Sequence, residues 1–299
     1  MTHQVKGHLC MVGANTMWGL MSPVAKLVMS VGVVTPLFLA NSRIVGAAVL
    51  FWLLSLTQPY QRVPAGDMWR LAGAAMLSIL LNQGSFIMGV GYTSPGEASI
   101  ITTTMPMWVM VLGALFFGHR LTMRKIGGII LGAGGALTLI ISGMSTAVRG
   151  NNPLLGDLLV LAAQLSYATY LLIYCNFIKR YSLVTLMKWM FTFASIGSLI
   201  VTFPTILSTD YAALDLLQVG GVAFVVVGGT FLAYVFMMYG QKHLRPEAVG
   251  MYNYVQPVVA SLVGLSLGLD RFSWLKGIAI VMIFSGVYIV ATARKEVKA

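Results

Sequence analysis

The chain carries very little charge. Only 9% of its 299 residues are Asp, Glu, Lys or Arg, whereas 58% are hydrophobic and the mean hydropathy is +0.85. Because a soluble domain has about 25% charged residues, this composition excludes a water-soluble enzyme and predicts a protein embedded in a lipid bilayer. The formal net charge of +11 is then a feature of loops at the membrane surface, and we expect no nucleic-acid partner.

Acidic residues, histidine and cysteine are scarce as well, with eight Asp and Glu, four His and two Cys. Cys10 and Cys175 are too few for a disulfide framework or a cysteine-based metal site. The acids fall near the starts of the apolar segments or outside them, so no cluster of acid, base and nucleophile is expected within the membrane. The sequence therefore predicts no cofactor, no metal and no enzymatic activity.

Long apolar segments make up most of the chain instead. Ten stretches of roughly 20 apolar residues can each cross a hydrocarbon core of about 30 Å as an α-helix. They leave about 80 residues for loops and tails, which excludes an ATPase domain or a folded ectodomain. Continuous rather than alternating hydrophobicity favours helices over barrel strands. The predicted spans are residues 8–30, 36–57, 68–90, 97–117, 124–142, 154–175, 183–204, 216–240, 247–267 and 273–293.

The distribution of Lys and Arg predicts the orientation. Thirteen of these residues fall on one side of the predicted membrane and three, Arg149, Arg271 and Lys276, on the other. Because short positively charged loops stay in the cytoplasm, we expect both termini to be cytoplasmic. We expect the first apolar stretch to be a retained helix, because it is too long for a signal-peptide core.

The two halves of the sequence resemble each other. Residues 91–140 resemble residues 240–290, and each half holds five predicted helices. An odd number places the second half in the opposite orientation, and such inverted repeats are typical of secondary transporters, although channels have them too. We predict repeats at 1–142 and 154–293 and a cytoplasmic tail at 294–299. The matching pairs, 150 or 151 residues apart, are Glu97 and Glu247, Pro106 and Pro257, Gly113 and Gly264, Arg120 and Arg271, and Gly135 and Gly286.

Polar and aromatic residues form stripes at helical spacing inside the first, third and sixth spans. Two interpretations are open: the stripes line a central cavity, or they form hydrogen bonds between helices. Pro106 and Pro257 each remove a backbone hydrogen bond near the middle of a span, and interrupted helices in both halves indicate a transport site. A kink that only improves packing is the alternative. The candidate solute-binding residues are Asn15, Trp18, Ser22, Asn82, Gln83, Thr103, Gln164, Tyr167, Tyr170, Asn253, Tyr254 and Gln256.

Three cations, Lys26, Arg43 and Lys188, lie inside predicted spans. Near helix ends such side chains commonly extend their charge to the membrane interface. Attraction of a carboxylate or phosphate of a solute is the other interpretation. Arg43 is the deepest of the three.

Three segments resemble a known family: MWGLMSPVAK in the first span, TPLFLANSR at the second, and SPGEASIITTTMPMWVMVLGALFFGHRLT across the fourth. Over essentially its whole length the chain resembles the drug/metabolite transporter superfamily, of the EamA type. In one departure, Gly118, His119 and Arg120 stand where the family often has a turn that ends in Glu. The resemblance implies a multi-pass protein of a bacterial inner membrane that exports small polar metabolites such as amino acids.

We therefore expect a ten-helix carrier that moves a small-molecule solute by alternating access. Amide and hydroxyl groups can bond the amino and carboxylate groups of an amino acid, and aromatic residues can hold its side chain. A passive channel or facilitator and a flippase for a lipid-linked solute remain alternatives. The sequence does not indicate the oligomeric state.

Overall fold

The computed structural model describes residues 3–118, 122–143, 152–244 and 252–292, apart from the side chains of residues 139–143, 175, 254 and 290–292. Every regular element within these ranges is helical, which confirms the predicted all-α class. Short 3₁₀ turns occur at Tyr211–Ala213 and Tyr252–Tyr254. The helices are α1 (His3–Ser30), α2 (Pro36–Ser55), α3 (Ala65–Tyr92), α4 (Pro95–Thr102), α5 (Met105–Phe117), α6 (Met123–Gly143), α7 (Pro153–Ile178), α8 (Leu183–Ser208), α9 (Leu216–His243), α10 (Val255–Ser266) and α11 (Trp274–Thr292).

The starts of three helices follow one sequence rule. A capping residue, Thr35, Ser94 or Asn152, precedes a proline at the first helical position. The capping oxygen accepts a hydrogen bond from a backbone N–H three residues on, at 3.1–3.2 Å. Proline fits there because its missing N–H has no partner in the first turn and its φ is already helical.

Several helices are long enough to cross a membrane. Five of them, α2, α3, α7, α8 and α9, are long and apolar enough to cross a bilayer, and α4 with α5 forms a sixth if the pair is one broken span. The axes of that pair differ by 42°. Helix α10 and the apolar part of α11 are shorter. The protein is therefore a multi-pass membrane protein, whereas the count of ten spans stays a prediction.

Irregular helical geometry recurs at equivalent places in the two halves. A π-helical segment occupies Met76–Leu81 in α3, and another occupies Phe224–Leu232 in α9. The break between α4 and α5, at Thr103 and Thr104, is matched by the 3₁₀ turn Tyr252–Tyr254 before α10. Both correspondences are separated by about 150 residues, as in the sequence repeat. Such irregular turns occur frequently at functional sites.

Helices of the first half pack mainly on helices of the second half. Helix α1 contacts α9 and α10, α2 contacts α8, α3 contacts α7, and α6 contacts α11. The resulting apolar core forms two clusters, one around Leu39 and Ile101 and the other around Phe51 and Phe191. This interleaving places wall residues from both halves around a common interior space.

Candidate functional site

A cavity of about 410 Å³ lies at the centre of this arrangement. Its volume is within the range of about 300–1,000 Å³ that is usual for small-molecule sites. The wall combines aromatic rings, methionines, amides and hydroxyls that come from both halves. It is lined by Met11, Trp18, Met21, Ser22, Arg43, Asn82, Gln83, Phe86, Ser99, Thr102, Thr103, Met105, Pro106, Gln164, Tyr167, Leu171, Tyr234, Met237, Gln241, Asn253, Gln256 and Val287.

Most of the candidate solute-binding residues lie on this wall, as the cavity interpretation of the polar stripes predicts. Nδ2 of Asn82 also donates to the carbonyl oxygen of Ala163 on α7 at 2.8 Å, which is the kind of bond that the second interpretation predicts. Two candidates, Asn15 and Tyr170, are not part of the wall. The side chain of a third, Tyr254, lies outside the described part of the chain. The nine that line the cavity are Trp18, Ser22, Asn82, Gln83, Thr103, Gln164, Tyr167, Asn253 and Gln256.

Asn15 is fully buried directly behind the wall. Its Nδ2 donates to the carbonyl oxygen of Met11 at 2.8 Å, and its Oδ1 accepts from Nε2 of Gln256 at 2.8 Å. The pair joins α1 to α10, and hence the first half to the second. Asn15 therefore orients a cavity residue instead of facing the cavity itself.

Tyr170 belongs to an aromatic row on α7. Its ring centroid lies 5.5 Å from that of Tyr167 and 6.0 Å from that of Tyr174. Only 4% of its surface is exposed, within the apolar cluster around Phe51. Tyr167, one turn earlier, reaches the cavity, because residues three positions apart on a helix differ by about 60° in direction.

The three intramembrane cations have different surroundings. Arg43 lies on the cavity wall and is 4% exposed. Nζ of Lys26 donates to the carbonyl oxygen of Gly91 at 2.7 Å, and Nζ of Lys188 lies 4.7 Å from the centroid of the Trp52 ring. Neither lysine lines the cavity. Of the three candidates for anion attraction, the structure therefore brings only Arg43 to the central cavity.

Threonine hydroxyls cover the backbone at the break before Pro106. The Oγ1 atoms of Thr102, Thr103 and Thr104 each donate to the carbonyl oxygen three residues earlier, at 2.6–2.7 Å. These bonds satisfy carbonyls at the irregular end of α4. Pro106 lines the cavity, whereas Pro257 is buried in α10 and does not.

Several cavity residues were not among the sequence candidates. Tyr234, Met237 and Gln241, on α9, follow one another at spacings of three and four residues and form one face. The ring of Tyr234 meets that of Trp18 edge-on, with centroids 5.8 Å apart. The helical spacing of these residues is therefore visible at the end of the eighth predicted span. It is hard to recognise in the sequence, because most of the neighbouring residues are apolar.

A buried network of charges lies outside the cavity wall. Nζ of Lys276 is 3.1 Å from Oε1 of Glu97 and 2.7 Å from Oδ1 of Asp270. Oγ1 of Thr93 is 2.9 Å from Oε2 of Glu97 and 2.6 Å from Oδ1 of Asp157. All five side chains are less than one-tenth exposed. The sequence indicates only that Glu97 and Asp157 stand near helix starts, and their meeting with Asp270 depends on the packing of loops.

This geometry defines the class of protein, a multi-pass helical membrane protein with a central cavity lined by aromatic, apolar and polar side chains from both halves. The EamA-like transporter family model matches residues 5–141 and 154–292. The chain therefore belongs to the EamA-like transporter family, as its sequence motifs predict. Family membership implies that the protein handles a small-molecule solute.

The chain is also similar to individual transporters over most of its length. It is 24% identical over 279 residues to an uncharacterized transporter of Archaeoglobus fulgidus, covering 93% of this chain and 96% of that protein. It is 25% identical over 262 residues to the uncharacterized inner membrane transporter YedA of Escherichia coli, covering 87% and 82%. A crystal structure of 15% sequence identity aligns with a TM-score of 0.64 over 96% of this chain and 98% of that one, so the two share a fold.

Substitution of Asn15 should weaken the cavity wall without unfolding the protein. In Asn15→Ala, Gln256 loses the acceptor that holds its amide, so we expect the KM for the transported solute to rise about fivefold, as for one lost hydrogen bond. Flux as a function of solute concentration in proteoliposomes measures this. Asn41→Ala is the matched control. Oδ1 of Asn41 accepts a hydrogen bond of 2.9 Å from the hydroxyl of Ser198, and neither residue lines the cavity. Equal effects of the two variants would contradict a role specific to the wall.

Proposed function

We propose that this protein is a secondary transporter of a bacterial inner membrane that exports small polar metabolites such as amino acids by alternating access. The proposed topology is ten spans in two inverted five-helix repeats, residues 1–142 and 154–293, with both termini in the cytoplasm. One observation carries the proposal: the central cavity, with polar groups on a largely apolar wall, takes its lining from both halves, at helices that are interrupted in equivalent places. Interrupted helices expose backbone groups to a solute at the repeat interface of secondary transporters.

The composition of the wall supports amino acids as the solute class. Asn82, Gln164 and Asn253 provide amide donors and acceptors, and Ser22 provides a hydroxyl. The rings of Trp18, Tyr167, Tyr234 and Phe86 provide apolar surface for a side chain. A site with a few polar groups on a largely apolar wall fixes the orientation of a small solute while it excludes bulk water.

The direct test is flux in proteoliposomes that contain the purified protein. Labelled amino acids are offered outside, with and without unlabelled solute loaded inside. We expect saturable uptake that accelerates with internal solute, because a carrier returns faster when it is loaded. Uptake that never saturates would favour a channel. Movement of fluorescent lipids between leaflets without amino-acid flux would favour a flippase. Flux of other solutes only would overturn the amino-acid assignment.

Gln164 offers a variant on the wall itself. Gln164→Ala removes an amide from the cavity and leaves apolar packing largely intact, so we expect transport efficiency to fall about fivefold or more, as for a lost hydrogen bond to solute. The amount of folded protein, judged by size-exclusion chromatography in detergent, should not change. Initial flux rates normalised to incorporated protein measure the effect, and unchanged flux would remove Gln164 from the site.

A further inference from the structure

Arg43 is hydrogen-bonded at the cavity wall to the π-helical segment of α9. Its Nε donates to Oγ1 of Thr230 at 2.7 Å, and that hydroxyl donates in turn to the carbonyl oxygen of Val225 at 2.8 Å. The bond to Val225 reaches back five residues and belongs to the irregular turn. The guanidinium group is thereby fixed between α2 and α9 with one of its five N–H donors engaged.

No carboxylate within the described part of the chain forms an ion pair with this guanidinium. The ion pairs in that part use Asp67, Glu97 and Asp270 with other cations. The side chain that the structure bonds to Arg43 is the uncharged hydroxyl of Thr230. A buried cation with no counter-ion among the described residues is costly, so its position on the wall of a cavity indicates a role in binding.

Two further residues that line the cavity each carry a buried polar atom with no hydrogen-bond partner among the described residues, namely Oγ of Ser22 and Oε1 of Gln83. The Nε2 atom of Gln83 donates to the hydroxyl of Tyr234 at 3.3 Å, which links this amide to the surroundings of Arg43. Buried polar atoms are otherwise almost always paired. Ser22 therefore offers a further donor for an anion, and Gln83 offers an acceptor for a solute N–H group.

We propose that Arg43 is the carboxylate-binding residue of the transport site and that the transported solutes carry a single carboxylate; this inference rests on the proposed function. The planar guanidinium fork matches a carboxylate with two parallel hydrogen bonds. Among the residues described on the wall, Arg43 is the one charged side chain. One positive charge balances a carboxylate, whereas a doubly charged phosphate would need a second cation.

Competition in proteoliposomes tests the chemistry of the solute. The labelled amino acid with the highest flux is challenged with unlabelled leucine, with leucinamide, which lacks the negative charge, and with 2-oxo-4-methylpentanoate, which keeps the carboxylate and lacks the amino group. We expect leucine and the oxo acid to compete at least about tenfold more strongly than leucinamide, as for a lost charge-assisted hydrogen bond. Equal competition by leucinamide would overturn the assignment.

Variants of Arg43 test the residue. Arg43→Met should lower transport efficiency at least about tenfold and abolish the preference for leucine over leucinamide, whereas Arg43→Lys should keep part of that preference. The melting temperature of Arg43→Met in detergent should not fall, because the variant removes a buried charge that has no ion-pair partner among the described residues. Lys188→Met is the matched control, a second buried intramembrane cation that lies away from the cavity, and it should keep both flux and preference. Unchanged preference in Arg43→Met would overturn the proposal.

Ligand-induced thermal stabilisation of the detergent-solubilised protein separates this inference from the transport function. If no solute gives saturable flux while leucine still stabilises the wild type, and leucinamide and the Arg43→Met variant show no such effect, the proposed function fails and the carboxylate site stands. If flux is saturable, leucinamide acts as strongly as leucine and Arg43→Met behaves like the wild type, the carboxylate site fails and the transport function stands.

Discussion

Lys276→Met is expected to lower the free energy of unfolding by about 3–5 kcal/mol, as is typical when one partner of a buried ion pair is removed. The ammonium group lies within 3.1 Å of carboxylate oxygens of both Glu97 and Asp270, and all three side chains are buried. Without it these carboxylates would face each other without the cation that bridges them. The variant should therefore give a small yield of folded protein in detergent.

Two comparison variants separate this charge effect from a loss of packing. The triple variant Lys276→Met, Glu97→Gln, Asp270→Asn should recover most of the stability, because the carboxylate charges are removed together with the cation. Arg271→Met removes an exposed cation five residues earlier and should be nearly neutral. Thermal unfolding followed by size-exclusion chromatography measures all three. A Lys276→Met variant as stable as the wild type would show that the network contributes nothing to the fold.

Gly286→Ala should destabilise the packing of α6 on α11 although it adds only one methyl group. A Cβ at this position would lie 2.6 Å from the carbonyl oxygen of Gly128, 2.6 Å from the N of Gly132 and 2.8 Å from the Cα of Gly132. These are backbone atoms, so the two helices must separate. We expect a loss of about 1–3 kcal/mol, the usual range for overpacking, and a larger loss for Gly286→Val.

A second glycine on α11 provides the control. A Cβ at Gly277 would meet nothing within 4 Å, and alanine is the better helix former by about 1 kcal/mol. Gly277→Ala should therefore leave the melting temperature unchanged or raise it. If both variants were equally stable, the close approach of α6 and α11 would not limit the stability of the protein. Small residues permit such approach in membranes, where packing drives helix association.

Much of the candidate site could be predicted from helical periodicity. Asn82, Gln164 and Tyr167 fall on polar stripes, and all three reach the cavity wall. The spacing of 3.6 residues per turn fixes which residues share a face of one helix, and polar faces avoid lipid. Periodicity does not determine how far a side chain lies from the cavity surface. It therefore does not predict that Asn15 lies behind the wall and that Tyr170 lies in the apolar core.

Long-range packing decided the electrostatics. Arg43 and Lys188 both lie inside predicted spans, yet one lies on the cavity wall and the other over the ring of Trp52. Glu97 and Asp270 are 173 positions apart in the chain and share one lysine. No local sequence pattern predicts these contacts, because they depend on the rotation of each helix about its axis and on which loops lie next to each other.

The sequence by itself determined the solvent of this protein, its all-helical class and the family to which it belongs, because these follow from composition, segment length and local motifs. The helix starts at Pro36, Pro95 and Pro153 also follow from neighbouring residues alone. Only the tertiary structure decided which polar faces meet around one cavity and which charges neutralise one another. Burial and pairing are properties of residues brought together from distant parts of the chain, and their free energies depend on the complete packing of the helices.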